Sequence, residues 1–367
     1  MKILLLGEYS NVHWTLAQGL RTLGHEVTVL SNGDFWKDYP RDISLVRHTS
    51  KLGGVVYMAR LASILPRLRG YDIVQLINPM FLELKAERIS PVYRWLRRHN
   101  KKIILCGFGM DYYWVSTCCH NSPFLYSDFN IGSTLRTNAD ALYERKDWLG
   151  TAKERLNKMI AQDCDHIVTG LYEYQRCYQP VFGNKSTFIP FPVKCDKPPR
   201  PDRPQGDKLK VFIGINRTRS EYKGTDIMLA AARDVEARHP SLMSLTTAES
   251  VPFAQYCKMM DSADAILDQL YSYTPAMNAL EAMSRGLICI GGGEEENYDI
   301  LGEKTLRPIV NVRPDYQSVY DALEHLALNP LDIGRLQRES VAYVSKHHDH
   351  IKVARRYERL YDDLLSQ

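Results

Sequence analysis

One succession of aliphatic run, amphipathic segment and second aliphatic run is written on both sides of a single proline-rich interruption, and few architectures accept that order. Residues 3–6 form the continuous apolar run of a strand covered on both faces. Residues 14–23 carry helical apolar spacing that Gly24 ends, and residues 27–30 are the next buried strand. This is one βαβ unit of a parallel sheet. Further strands are predicted at 45–46, 73–77, 103–106, 166–169 and 186–190, and helices near 55–68, 91–98 and 151–162. In FPVKCDKPPRPDRPQGDK, residues 191–208, proline and charge exclude regular structure, and the segment is read as a linker. Beyond it the alternation restarts, with strands at 209–213, 242–246, 265–267 and 287–290 and helices at 225–238, 253–262 and 276–284. From Asp332 the chain reads as two helices about a polar joint at 346–350.

The expected fold is therefore α/β, two doubly wound Rossmann-like domains facing across a cleft. Residues 1–190 form the first, 191–208 the linker and 209–345 the second, and a terminal helix over 346–367 packs back toward the first. Open α/β sheets bind ligands at the carboxyl ends of their strands, so the cleft is where a function is sought. At 367 residues, 44% apolar and 25% charged, the chain fills two cores, which excludes a disordered class. The opening MKILLLGEYS has one lysine and a short apolar run. It is read as neither secretory signal nor membrane span, and a cytoplasmic location is expected. Eight cysteines include the adjacent Cys118 and Cys119 but no CxxC pair. With Cys106, Cys257 and Cys289 in apolar surroundings, they are read as reduced thiols without a metal or disulfide role.

The loop after the first strand, GEYSNVHW, lacks the GxGxxG spacing of dinucleotide binding, and no GxxxxGK[ST] run marks a nucleoside-triphosphate loop. His13 opens the first helix, where a ring nitrogen can meet a ligand at the helix end or simply cap it. In the second half, residues 214–224 join a strand to a helix and carry Arg217, Arg219 and Lys223. Cations beside an open helix start make a diphosphate clamp, against the alternative of a solvated basic loop. Glu281 sits in an apolar helical segment of SYTPAMNALEAMSRG, residues 272–286. A carboxylate there needs a partner, either a pair of sugar hydroxyls or an internal salt bridge. Asp111 closes GFGMD at the end of a predicted strand, as a contact for a reacting hydroxyl or as a helix cap, and His120 follows in the CCHNS loop. Gly291, Gly292 and Gly293, ahead of three glutamates, permit close approach of backbone to a ligand, or belong to a solvated turn.

In this order, from LLLGEYS…GLRTLGHEVTVLS through GFGMD at 107–111 and RTRSEYKGTD at 217–226 to DQLYSYTPAMNALEAMSRG at 268–286, the motifs resemble glycosyltransferase family 4. These are retaining, sugar-nucleotide-dependent enzymes of the GT-B fold, here of the kind that builds bacterial cell-envelope polysaccharide. The resemblance implies a nucleoside-diphosphate sugar, UDP- or GDP-linked, as co-substrate in the second domain, with no other cofactor and no metal. It implies a saccharide or lipid-linked acceptor at the first domain. Arg219 and Lys223 would hold the diphosphate, with Arg217 as a substitute for the former, and Glu281 would bind the ribose hydroxyls. Asp111 and His120 would serve the reacting sugars. Eight residues before Glu281 the family carries another glutamate, where this chain has Tyr273, which offers a hydrogen bond but no carboxylate charge. Asp268 and Gln269 resemble the pair found in members that lack that glutamate.

The resemblance also implies attack on the face the diphosphate leaves, with the departing phosphate taking the acceptor's proton. It allows Lys85, Arg88, Arg94, Arg97, Arg98, Lys101 and Lys102 to rest on the inner face of the cytoplasmic membrane. Nucleic acid is not expected at a net charge of +4 with no recognised binding motif. Two rivals stay open, a sugar-nucleotide epimerase of related fold and a non-catalytic nucleotide-sugar binding protein.

Overall fold

The computed structural model describes residues 1–196, 200, 206–216, 219–249, 251 and 253–367, the side chains of 253 and 254 excepted. From the amino terminus the elements are β1 (Lys2–Leu6), α1 (Val12–Thr22), β2 (Glu26–Ser31), β3 (Ile43–Ser44), α2 (Gly53–Ile64), β4 (Ile73–Leu76), α3 (Ala86–His99) and β5 (Lys102–Gly107). There follow α4 (Tyr112–Cys119), a small hairpin of β6 (Asn130–Ile131) and β7 (Thr134–Leu135), α5 (Ala139–Trp148), α6 (Ala152–Asp163), β8 (His166–Thr169), α7 (Tyr172–Phe182) and β9 (Ser186–Phe188). After the linker come β10 (Leu209–Ile215), α8 (Ser220–Lys223), α9 (Thr225–Arg238), β11 (Met243–Glu249), α10 (Phe253–Asp261), β12 (Ala265–Leu267), α11 (Met277–Ser284) and β13 (Ile288–Gly291). The chain continues through α12 (Glu295–Leu301), β14 (Val310–Asn311), α13 (Tyr316–Leu328), α14 (Pro330–His347) and α15 (His350–Leu365).

Among the described residues these strands make two parallel sheets, ordered β3-β2-β1-β4-β5-β8-β9 and β11-β10-β12-β13-β14. Both are Rossmann-like, with the order reversing between β1 and β4 in the first sheet and between β10 and β12 in the second. The register explains why the strands had to be aliphatic. Along β10, Leu209, Val211 and Ile213 enter one core with Met228 and Ala231 of α9. Phe212 points the other way, into a core with Met260 and Ala282. Only Lys210, near the start of β10, reaches solvent fully, and each buried side chain of this size contributes about 1.5–3 kcal/mol.

The chain divides into two compact units. The first comprises residues 1–117, 144–192 and 350–367, the second 118–143 and 193–349. The boundary after residue 192 falls at the start of the expected linker, most of which, residues 197–199 and 201–205, lies outside the described residues. The expected first domain of residues 1–190 needs one correction, because residues 118–143 belong to the second unit. The cause is aromatic. Phe124 and Tyr126 pack their rings on Tyr273, and the Arg136 guanidinium lies 3.4 Å from the ring centroid of Tyr271.

The terminal helix joins the first unit. At Gly19 of α1 a Cβ would stand 2.4 Å from the His350 carbonyl oxygen, so only glycine admits α15 this closely. Val353, Ala354, Tyr357 and Tyr361 are buried there, and the Tyr361 hydroxyl donates to Gln75 Oε1 at 2.8 Å. Cys106 and Cys289 are buried strand residues whose thiols burial pushes well up, which keeps them protonated. Among the described residues no helix is long and apolar enough to cross a membrane.

Candidate functional site

In the second unit the helix that follows β10 covers one face of the sheet and the helix that follows β12 covers the other, which leaves a crevice at the ends of these neighbouring strands. Two segments border it, the first of residue 216 and residues 219–224, which include α8, and the second the loop of residues 268–276. In the first segment the Arg219 amide donates to the Asn216 carbonyl at 3.0 Å, and the exposed Arg219 guanidinium sits 4.9 Å from the centroid of Tyr222. Arg217 lies outside the described residues. Lys223 ends α8, and Gly224 turns the chain into α9 with φ +73°, a conformation L side chains resist. A Cβ there would also stand 2.9 Å from the Leu270 side chain. The Leu270 amide donates to the Lys223 carbonyl at 3.0 Å, which fixes the lysine against the second loop.

Gly224 supplies no side chain to cap α9, whose first amides face the same crevice end. Lys223 has Asp268 as its electrostatic neighbour. Burial raises the Asp268 carboxyl above its usual range, against the pull of Lys223, the Asn278 side chain and the Ala276 backbone. Asn278 Nδ2 donates to Asp268 at 3.4 Å, and its Oδ1 accepts from the Tyr256 hydroxyl at 3.0 Å. One turn further along α11, Glu281 Oε1 accepts two bonds from Arg285, at 2.9 and 2.6 Å, and Arg285 also donates to Asp261 at 2.6 Å. The internal salt bridge is thus present. Both bonds fall on Oε1, and among the described residues none is shown to Oε2 of this side chain, which is 33% exposed.

Tyr273 is buried beneath the second loop. Its hydroxyl accepts from the Leu125 amide at 2.7 Å, its carbonyl accepts from the Glu294 amide at 3.0 Å, and the Tyr126 hydroxyl donates to the Glu294 carboxylate. The glycine run serves the same loop: a Cβ on Gly292 would stand 2.0 Å from the Ser272 carbonyl oxygen. The backbone that Gly291 and Gly292 admit is therefore the protein's own, while Gly293 makes room for the Ile309 side chain. His120 is exposed on the loop after α4, within the segment that joins this unit.

Arg136 was not singled out in the sequence. It donates to the Glu221 carbonyl at 2.7 Å and the Tyr222 carbonyl at 3.1 Å while stacking on Tyr271, so it ties the last turn of α8 to the loop after β12. Arg136→Ala is expected to destabilise the second unit by about 2 kcal/mol. Lysine, unable to bridge two carbonyls and stack at once, is expected to restore less than half of that in denaturant unfolding.

The first unit has its own pocket, of about 250 Å³, at the reversal between β1 and β4. Glu8, Tyr9, Leu45, Tyr57, Phe81 and Glu83 contribute to its walls. Glu8 accepts the His13 amide on Oε1 at 3.2 Å and the Trp14 amide on Oε2 at 2.9 Å, capping α1 from four residues ahead of it. Burial pushes its carboxyl up to about 8 in spite of those two amides. His13 itself is fully buried. Its Nδ1 bonds the Gly7 carbonyl at 2.8 Å and its Nε2 meets Gln75 at 3.2 Å, so the proton belongs on Nδ1. Burial lowers its pKa to about 3 and keeps the ring neutral. With both nitrogens engaged, His13 shapes the loop after β1 and turns no nitrogen toward a ligand.

Asp111 is buried as well. Oδ1 accepts from the Trp114 amide at 2.9 Å and Oδ2 from the Tyr178 hydroxyl at 2.8 Å, the arrangement of a cap on α4. Burial pushes its carboxyl from 3.8 up to about 6, against the pull of the Trp114 amide, the Tyr178 hydroxyl and the Tyr113 amide. Between those two values the folded protein holds a proton that the unfolded chain has released, so stability falls as pH rises through the window. Asp111→Asn is expected to remove about 2–3 kcal/mol of that pH dependence, read as the difference in denaturant unfolding between about pH 4 and 6.

Among the described residues no group of three His, Cys, Asp or Glu side chains is arranged to hold a metal ion. No protein-family model matches the sequence, and no curated protein matches it. Solved structures do. Sucrose-phosphate synthase from Thermosynechococcus elongatus superposes with a TM-score of 0.65 over 100% of both chains at 12% identity. Anabaena HepE, solved with UDP and glucose, gives 0.60 over 99% of each chain at 12% identity. The catalytic domain of starch synthase IV from Arabidopsis thaliana, bound to ADP and acarbose, gives 0.61 over 100% of both chains at 11% identity. The chain shares with them a fold of two Rossmann-like domains, the GT-B fold.

Proposed function

We propose that this chain is a retaining glycosyltransferase of the family 4 type, moving a sugar from a UDP- or GDP-linked donor to a hydroxyl of a saccharide or lipid-linked glycan. The observation that carries the reading is the placement of Arg219, Lys223 and the uncapped start of α9 at the strand reversal of the second sheet. The three structures described above hold UDP or ADP, or are named for synthases of sugars, and they share this fold.

In this reading the two cations and the α9 amides take up the negative charge that grows on the leaving diphosphate, and they stabilise it more than they stabilise the bound donor. The scheme gives that charge to side chains and amides and requires no metal. Glu281, held by Arg285 through Oε1, offers Oε2 to a ribose hydroxyl. Tyr273 anchors the loop, and Asp268 with Gln269 takes the part of the family's missing glutamate. His120 serves the sugar from the segment that caps the second unit. The acceptor hydroxyl enters by the pocket of Glu8 and Tyr9, while Asp111 acts from behind by fixing α4. The protein works in the cytoplasm, at the inner face of the membrane.

The test is calorimetry of the purified chain with UDP-, GDP-, ADP- and TDP-sugars, followed by single-turnover transfer with the donor that binds. One selective donor, weakened by Glu281→Ala, supports the reading. No binding by any of them overturns it, and binding without sugar release to any acceptor makes the chain a nucleotide-sugar binding protein.

A further inference from the structure

Two carboxylates, Glu8 and Glu83, and four aromatic residues, Tyr9, Phe35, Tyr57 and Phe81, line the pocket of the first unit. Among the described residues no lysine, arginine or histidine lines it. Two other polar lining residues are used locally. Ser31 Oγ accepts from the Gly33 amide at 3.1 Å and Asn32 Oδ1 from the Asp34 amide at 3.0 Å. The pocket therefore repels an anion, and what its charge complements is a cation.

Two nearby cations are already engaged. Lys37 is paired with Asp34 at 2.6 Å and donates to Ser10 Oγ at 3.3 Å. Arg47 gives its amide to Glu83 Oε2 at 3.0 Å and its guanidinium to the Glu83 carbonyl at 3.5 Å, and the two side chains form no ion pair among the described residues. Glu8 is 2% exposed. Its carboxyl, pushed up to about 8 by burial, meets the amides of Trp14, His13 and Tyr9 and the charge of Asp34. Such a carboxyl keeps its proton at neutral pH until a cation comes beside it. The wall is held in strained backbone. Ser10, Asn11, Asp34, Phe35 and Asp38, on the loops after β1 and β2, all have φ between +47° and +67°, and Asp34 ties the loops by accepting the Ser10 amide at 2.8 Å. An aromatic residue resists that conformation, yet it is Phe35 that reaches the pocket.

Carboxylates and rings together select an organic ammonium. A divalent ion takes about six oxygen ligands and has no use for rings, whereas an ammonium group is held by carboxylates and by aromatic faces alike. At about 250 Å³, the pocket has room for one ring. We propose that this pocket binds an amino sugar, its ammonium group at Glu8 and Glu83 and its ring among Tyr9, Phe35, Tyr57 and Phe81. The ammonium binding stands on the pocket alone; that the amino sugar is the acceptor rests on the transferase reading. The amine is then the handle, and the hydroxyl that reacts is another on the same ring.

The experiment is calorimetry of the full chain, without nucleotide, with methyl glucosides that carry one amino group at C2, C3, C4 or C6. Each is compared with its N-acetyl derivative, with methyl glucoside and with 1,4-diaminobutane. Expected is that at least one amino glucoside binds about tenfold or more tighter than its N-acetyl derivative and methyl glucoside. Glu83→Gln is expected to remove most of that preference. Glu83 is half-buried, so the variant should keep its fold, which thermal unfolding checks. Glu8→Gln is the weaker test, because it sets a side-chain NH2 against a backbone amide of α1. Equal affinity for the amino and N-acetyl forms overturns the proposal, as does no binding by any amino glucoside. A preference that survives Glu83→Gln overturns it as well. Diaminobutane bound as tightly as the best amino glucoside shows a site for amines without a ring, and overturns it too. Transfer from a nucleotide sugar to methyl glucoside but to no amino glucoside would retain the transferase and discard the amine. Amino-sugar binding with no nucleotide binding would retain the pocket's ligand and discard the transferase.

Discussion

Lys223→Ala is expected to weaken nucleoside-diphosphate binding roughly 10- to 150-fold, the effect of removing one charge-assisted bond worth about 1.5–3 kcal/mol. The lysine is fixed at its backbone by the Leu270 amide and has Asp268 for a neighbour, so its position is set before any ligand arrives. A cation placed in advance costs no reorganisation as the leaving charge develops, and transfer is expected to slow further, by about 10²–10³ in kcat. Binding of the nucleoside without phosphates should not change in calorimetry. Equal affinity of wild type and variant for the diphosphate would remove Lys223 from the site. Arg219→Ala is expected to do less, because that side chain is exposed and partly held by Tyr222.

Gly292→Ala is expected to be the most damaging single methyl group in the second unit. Its Cβ would stand 2.0 Å from the Ser272 carbonyl oxygen and 2.7 Å from its carbonyl carbon, and neither backbone atom can yield as a side chain would. A loss of about 3 kcal/mol follows, which for a unit of this size lowers its transition by roughly 6–12 °C. Nucleotide affinity should fall with it, because the displaced loop carries Asp268 and Tyr273. Gly302→Ala is the contrast. It has φ +66° but nothing within 4 Å of the added carbon, and should cost only about 1 kcal/mol. Similar losses in the two variants, measured by calorimetric unfolding, would show that the contact at Ser272 does not hold the loop.

The sheets were legible because a strand covered on both faces has to be apolar along most of its length, as residues 3–6 and 211–213 are. The two terminal helices were legible too, close to their observed bounds. Short elements were less so. β14 and the β6–β7 hairpin have two residues per strand, too few for any period to register. Pro91 placed the start of a helix at residue 91, whereas α3 begins at Ala86 and carries the proline inside. The membership of residues 118–143 could not be read locally at all, since it depends on Leu125 meeting Tyr273, 148 positions away.

At the site, the sequence found residues of the right chemistry without finding which way they face. Asp111 and His13 look alike from the chain as polar groups at helix starts, yet both turn inward and spend their hydrogen bonds on backbone and on Tyr178 and Gln75. Glu8 was passed over because it stands four residues ahead of α1, outside the usual capping position. That position belongs to Asn11, which makes no side-chain cap. Arg136 left no signal, as its partners are carbonyls and one aromatic ring.

The closure of α15 over Gly19 fixes an order of manufacture. The unit that begins the chain is the last to be finished, because residues 350–367 emerge only after the 157 residues of 193–349. At about 5–20 residues per second, the part of the first unit complete by residue 192 waits roughly 8–30 s with the α1 surface bare on each translating ribosome. The second unit, completed by residue 349, has the opportunity to fold first, and the nascent chain's window for chaperone capture lies at its amino-terminal end.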